Sequence, residues 1–171
     1  KKLDTLFKHK QESCELKDLI KLFNISELEQ KLFESFFTTI KPQQSDDHNY
    51  KGSGVRIRYF GHACVLIETD STSIFFDPVI SYEISNEIPR YTFADLPDKI
   101  DYVVITHCHL DHIMFETLLQ LRYKIRHVVF PCNQKGELAD PSMKLVLKHI
   151  GFTSLVDISE LERIEFKNGE I

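Results

Sequence analysis

Residues 106–112 read Thr-His-Cys-His-Leu-Asp-His and place four metal-ligand side chains, His107, His109, Asp111 and His112, within six positions. Extended backbone alternates its side chains, so His107, His109 and Asp111 share a face, and a turn into a following helix swings His112 round beside Asp111. One loop can then serve two adjacent cations. Neutral imidazole and carboxylate suit zinc, iron or manganese, and no cysteine is needed. Cations held in this way lower the pKa of bound water and polarise a carbonyl or phosphoryl oxygen. The bland reading is a polar turn whose histidines cap a helix or face solvent. It accounts easily for one such histidine, but not for this set of ligands at this spacing beyond a buried strand. Cys108 falls on the opposite face and is assigned no chemistry.

The elements that must position this loop follow from periodicity. Residues 101–105, centred on Tyr-Val-Val-Ile, read as a buried strand before it, and residues 114–122 as a helix after it. Upstream, residues 55–60, 63–68 and 73–76 read as consecutive antiparallel strands, with a turn at Asp70-Ser71 and a stop at Asp77-Pro78. Downstream, residues 127–130 form another strand. Asp140-Pro141 then opens a helix whose Met143, Val146, Leu147 and Ile150 lie on one face, and Gly151 ends it. Residues 163–166 are a last strand, and Asn168-Gly169 is a two-residue hairpin signal. The chain stops at Ile171 before a second strand can form and does not begin with methionine, so a fragment cut inside a domain is expected.

Before residue 55 the pattern is helical. Leu16, Leu19, Ile20 and Phe23 recur at helical spacing, and Leu28, Leu32, Phe33, Phe36, Phe37 and Ile40 do so again, which predicts two amphipathic helices. Ser26 with Glu29 reads as a capping box for the second. Phenylalanines at this spacing are read as core in preference to a ligand groove. Residues 41–54, KPQQSDDHNYKGSG, read as a polar linker, so residues 1–54 are a helical segment plus linker and residues 55–171 one domain.

Composition excludes several classes. With 42% hydrophobic residues in 171, a single ordinary soluble domain is expected. No apolar run approaches a bilayer span, and the start lacks a secretion signal, so no membrane partner is expected and the cytoplasm is the expected location. Cysteines 14, 64, 108 and 132 form no CxxC pair and read as reduced thiols. Residues 55–171 carry 12 basic against 17 acidic side chains, so nucleic acid is not an expected partner.

Asp77, between the Ile-Phe-Phe strand and Pro78, has two readings: an acceptor that orients a ligand histidine, or a turn-forming aspartate. His127, at a strand start, and His149, near a helix end where the dipole favours a cation, are not expected to be ligands. His9 and His48 are read as surface residues.

The HxHxDH pattern of His107, His109, Asp111 and His112 resembles the signature of the metallo-beta-lactamase superfamily. Tyr59-Phe60-Gly61-His62-Ala63, Ile74-Phe75-Phe76-Asp77-Pro78, and Leu96-Pro97 followed by residues 100–107 are spaced as in the amino-terminal half of that superfamily. The resemblance covers residues 55–171 and none of residues 1–54. It implies an α/β fold, an αββα sandwich with the metal site at one edge, incomplete in this chain. It also implies that His107 and His109 bind one metal while Asp111 and His112 bind the other. In that family a third histidine, a bridging carboxylate and a last histidine come from further downstream, and His127 and His149 do not sit in matching contexts. His62 stands where the resembling subgroup has a Gly-His-Ala or Gly-His-Ser turn near the pocket. A supporting role beside the metals and a buried structural role are both open for it.

Two functions follow from the resemblance, and a third of a different class stands beside them. The first is a metal-dependent hydrolase acting on a small-molecule or acyl substrate. Its cofactors would be two divalent metal ions, zinc first and iron or manganese next, with Asp111 as both ligand and catalytic orienter of the attacking water. The second rests on residues 92–97 and 116–122, which are similar to the diiron beta-hydroxylases of nonribosomal peptide synthesis. Those enzymes act on aminoacyl groups tethered to a carrier protein, so a carrier protein is a partner to expect, and residues 1–54 would be their extra amino-terminal region. The third is a non-catalytic truncated module, since a half-filled coordination shell binds metal weakly. On that ground, low or absent activity is expected for the 171-residue chain.

Overall fold

Three short helices lead the chain: α1 (Lys2–Lys8), α2 (Leu16–Phe23) and α3 (Gln30–Glu34). The computed structural model describes residues 1–82, 88–132, 142–167 and 169–171. Helix α1 was not expected from periodicity. It is held by tertiary contacts, with the Asp4 carboxylate accepting from Arg122 Nε at 2.8 Å and Tyr123 donating to the Gln11 side chain at 2.8 Å. Helix α2 ends at Asn24, whose φ of 58° gives the left-handed cap that stops a helix.

The long second helix expected over residues 28–40 is corrected to the five residues of α3. Ser26 and Glu29 do pair, with Glu29 Oε2 accepting from the Ser26 backbone N–H at 3.2 Å and from its hydroxyl at 2.5 Å, but they close the turn before the helix. The expectation that the phenylalanines are core is corrected too. Phe33 touches both Phe23 and Phe37 in a small cluster, while Leu28, Phe36 and Ile40 are 97%, 73% and 74% exposed. A helix with no surface to pack on does not outlast the cost of nucleation, and Thr38-Thr39 oppose its extension. Residues 45–49, read as linker, are bonded to the rest of the chain. Ser45 N–H donates to the Ala94 carbonyl at 3.1 Å, and Asn49 exchanges bonds with Asp98 at 2.6 and 3.0 Å.

Alternating apolar residues then build β1 (Arg56–Gly61), β2 (Cys64–Glu68) and β3 (Ser73–Phe76), paired antiparallel. Beyond β3 the pairing turns parallel, through β4 (Ile100–Val104), β5 (Ile125–Pro131) and β6 (Leu155–Ile158), giving one six-stranded sheet in sequence order. Helices α4 (Phe115–Leu121) and α5 (Met143–His149) make the crossovers from β4 to β5 and from β5 to β6 that parallel neighbours require. The expected start of α5 at Asp140-Pro141 lies outside the described residues.

The main core joins one face of the sheet, with Leu66, Phe75, Val103 and Val128 wholly buried, to Leu118 and Leu121 of α4 and Met143 and Leu147 of α5. The opposite face carries Ile74, Val104 and Val129, against which Ile164, Phe166 and Ile171 pack. Those last residues belong to a hairpin that does close. Strand β7 (Glu165–Phe166) pairs with β8 (Gly169–Glu170), and Ile164 and Ile171 exchange two backbone bonds at 2.9 and 3.0 Å. Two residues suffice because the apolar contact with the sheet supplies the stability a short ladder lacks. The expectation that no second strand could form is thereby corrected, and Asn168 itself lies outside the described residues.

At the other end of the sheet, buried Arg58 and Glu68, each 2% exposed, face each other across β1 and β2. Glu68 also accepts from Arg56 at 2.9 and 3.1 Å, and both arginines reach back to the His48 carbonyl. Arg58 further bonds the Asp95 carbonyl, so the pair ties residues 47–48 and the 3-10 turn Phe93–Asp95 to the sheet.

Candidate metal centre

Strands β3 and β4 run parallel, so their carboxyl ends lie side by side, and the ligand loop leaves the sheet next to Asp77. Asp77 is 1% exposed and sits at φ 38°, a left-handed conformation that aspartate tolerates better than most residues. Its backbone N–H donates to the Val104 carbonyl at 2.9 Å. Its carboxylate accepts from the Thr106 N–H at 2.8 Å, the Thr106 hydroxyl at 2.6 Å and His112 Nδ1 at 2.8 Å. Of the two readings of Asp77, the structure favours the acceptor, placed under the loop.

The loop turns at His109, whose carbonyl accepts the N–H groups of both His112 and Ile113 at 2.9 Å, with Ile113 anchored in the core. This turn returns His112 to the strand end, where its ring lies 3.9 Å from that of His107. His107 Nε2 and His109 Nδ1 are 3.1 Å apart. His112 Nε2 lies 3.7 Å from Asp111 Oδ2. The four residues of the HxHxDH pattern are therefore gathered at one spot.

Tautomers follow from the acceptors. Asp77 takes the proton of His112 Nδ1, which leaves the Nε2 lone pair facing Asp111. The Thr106 hydroxyl, donating to Asp77, accepts from His107 Nδ1 at 3.0 Å and leaves the His107 Nε2 lone pair facing His109. Thr106 has this positioning role without having been singled out from sequence. A hydroxyl directly before the first histidine was the signal available.

His62 is at the centre rather than buried as a structural residue. Gly61 at φ 118° and His62 at φ 50° turn the β1–β2 connection, where the register slips between Tyr59 and Gly61. The half-exposed His62 ring places Nε2 2.9 Å from Asp111 Oδ2 and its centroid 4.9 Å from that of His112. The bond from His62 holds the Asp111 carboxyl below the usual carboxylate range. Donor atoms of His62, Asp111 and His112 all lie within 4.8 Å of one another. Two donors sharing one zinc at bonds of about 2.0–2.1 Å stand roughly 3 Å apart. The spacings in both groups suit divalent ions after small ring movements, and no thiolate takes part. Cys108 instead packs against the core.

The other histidines lie elsewhere. His127 bonds the Ser154 hydroxyl at 2.6 Å and stacks on Tyr102, His149 is exposed on α5, and His48 faces Asp98 at 3.3 Å. A cavity of about 970 Å³ between residues 38–45 and 88–95 is lined by none of the side chains of the HxHxDH pattern. Among the described residues, no helix is long and apolar enough to cross a membrane.

A 3-hydroxylase of Streptomyces venezuelae that acts on 4-amino-L-phenylalanyl-CmlP peptidyl carrier protein is 35% identical over 99% of this chain. The chain spans only 32% of that relative. A crystal structure of CmlA, a diiron beta-hydroxylase from Streptomyces venezuelae, superposes with a TM-score of 0.79 at 34% identity, over 99% of this chain and 31% of that one. A metal-dependent hydrolase of Ignicoccus hospitalis is 41% identical over 48% of this chain and 36% of its own length. The family profile described as the beta-lactamase superfamily domain matches residues 56–164. That match runs from the first strand through the ligand loop to the last crossover, and the chain belongs to the beta-lactamase superfamily.

Proposed function

We propose that this chain is part of a beta-hydroxylase that uses a dinuclear iron centre on an aminoacyl group borne by a carrier protein. The ligand loop alone favours a hydrolase with zinc. The observation that carries the hydroxylase reading is the reach of the likeness: it extends over 99% of the chain, through α1, α2 and α3, whereas the hydrolase relative covers 48%. Residues 1–54 are assigned to the same enzyme as an amino-terminal extension of the unit at 55–171.

In this reading His107 and His109 hold one ion, and Asp111 and His112 the other. Paired irons, when bound, would offer positions for oxygen and relay the two electrons that an external reductant supplies for oxidation of a C–H bond. The protein's own part is orientation. Asp77 and Thr106 fix which nitrogen of His107 and His112 carries a proton, and the exposed loop leaves an approach for a substrate delivered on a carrier arm.

The test uses the full-length protein with an aminoacyl carrier protein, molecular oxygen and a two-electron reductant. The expected products are the carrier-bound aminoacyl group with one added oxygen atom and one water, formed only when iron and reductant are present. Release of the free amino acid with its new carboxylate oxygen drawn from water and none from molecular oxygen, by a zinc-loaded protein, would instead establish the hydrolase.

A further inference from the structure

We infer that the cavity between residues 38–45 and 88–95 seats the phosphopantetheine arm of a carrier protein, with Lys41 and Arg90 receiving its phosphate. The inference rests on the carrier-protein part of the proposed function, and not on the choice between hydroxylase and hydrolase.

The cavity has fixed walls. They are joined where the Ser45 N–H donates to the Ala94 carbonyl at 3.1 Å and the Ser45 hydroxyl donates to the Asp95 carboxylate. Thr92 closes the adjoining turn by giving its N–H to Asp95 at 2.7 Å. On the side towards α4 the Tyr82 hydroxyl donates to Glu116 at 2.9 Å, and the Lys10 ammonium stands 5.6 Å from the Tyr82 ring and 4.6 Å from that of Phe93. The volume of about 970 Å³ falls within the range of about 300–1,000 Å³ typical of small-molecule sites.

Charge selects the occupant. Lys41, Arg90 and Asp95 are the charged residues of the lining. The Asp95 carboxylate is taken up by Ser45 and Thr92, whereas among the described residues neither cationic side chain has an ion-pair or hydrogen-bond partner. Two exposed, unpaired cations in a chain of net charge -5 mark a place for an anion. The same lining offers the apolar Ile40 and Ile88 and the amides of Gln43 and Gln44, which a bare phosphate does not need and an amide-bearing arm does. Position agrees with charge. Ser81 of the lining follows Asp77 by four residues, so their Cα atoms stand no more than about 14 Å apart, with Asp77 directly under the ligand loop. A phosphate held by Lys41 and Arg90 leaves the rest of the arm free to run toward that loop.

The full-length protein is titrated by calorimetry with phosphopantetheine, pantetheine and inorganic phosphate, and then with a carrier protein with and without its arm. Phosphopantetheine should bind more tightly than either fragment. Lys41→Glu and Arg90→Glu, both at exposed side chains, should each weaken it about tenfold or more and leave pantetheine unaffected. The carrier with its arm should bind more tightly than the carrier without it, and the same substitutions should erase the difference. Circular dichroism verifies the fold of both variants.

Inorganic phosphate bound as tightly as phosphopantetheine would reduce the cavity to a simple anion site and overturn the inference. Equal losses for the carrier with and without its arm would overturn it too, because the cations would then meet the body of the carrier. Turnover of a loaded carrier whose binding neither substitution changes would overturn the inference and leave the proposed function standing. A loaded carrier neither bound nor turned over by the unaltered protein would overturn the carrier reading and the inference with it.

Discussion

Asp77 Oδ2 lies 2.8 Å from His112 Nδ1, so a carboxylate at the end of β3 decides which nitrogen of a residue 35 positions later keeps its lone pair. The same carboxylate holds the first backbone N–H and the hydroxyl of the ligand loop. Asp77→Ala should weaken metal binding about tenfold to a hundredfold, the range typical when the partner of a ligating imidazole is lost. It should also cost about 1–3 kcal/mol of stability by leaving the Thr106 N–H without its acceptor. Metal titration and denaturant melts on the same variant give both numbers, and unchanged affinity would reduce Asp77 to a turn residue.

Glu68 is the hub between Arg56 and Arg58, and it is as buried as Arg58. Glu68→Ala leaves a buried guanidinium without its counter-charge, at an expected loss of about 3–5 kcal/mol. Because both arginines also reach the His48 carbonyl, amide exchange at residues 45–49 should accelerate in the same variant. Slow exchange there would show that the segment is held by its bonds to residues 94–98 alone.

Burial pushes the Lys124 ammonium down to about 8, against weak support from Asp98, while its Nζ donates to the Pro97 carbonyl at 2.7 Å. Between pH 8 and the unfolded value of 10.5 the unfolded chain binds the extra proton, so this group raises stability as pH rises through that window. The penalty is fully present below pH 8. Cys64 and Tyr123, both pushed up to about 12 chiefly by burial, act in the opposite direction above their unfolded values. The clean quantity is therefore the difference between wild type and Lys124→Met. Wild type should gain about 2 kcal/mol relative to the variant from pH 8 to pH 10, and a flat difference would show that the lysine stays charged in the fold.

Arg122 joins α1 to the body of the protein. Its Nε and Nη2 each stand 2.8 Å from Asp4 Oδ1, and its Nη1 bonds the Ile150 carbonyl. Arg122→Ala should release α1, seen as loss of exchange protection over residues 2–8, with a stability loss of about 1–3 kcal/mol. Retained protection would mean that the remaining contacts of α1 with α4 are sufficient without Arg122.

The three antiparallel strands and the ligand loop are legible in the sequence because period-two alternation, Asp77-Pro78 and the HxHxDH spacing are all local signals. Strand β6 is not, since Leu155-Val156-Asp157-Ile158 is four residues with a charge inside it. Helix α1 is hidden for a related reason: seven lysine-rich residues become a helix only when Arg122 and α4 receive them. The error over residues 28–40 is the reverse, a strong helical period with nothing to pack against. His62 near Asp111 is a tertiary fact, set by where the β1–β2 turn falls relative to the end of β4. The Gly61-His62-Ala63 turn points to the pocket through its resemblance, but nothing within either segment names Asp111 as the partner.

The parallel pairing of β3 with β4 has a consequence for how this architecture diversifies. Asp77, Thr106 and the histidine-rich turn all lie past the sheet's edge, where no ladder bond depends on which side chain is present. Reactivity and framework are consequently separable properties. A donor can be exchanged, and a preference for one metal traded for another, without disturbing the strand register that brings the donors together. Relatives named as a hydroxylase and as a hydrolase are both similar to this chain, as a framework that keeps its register while its rim changes would allow.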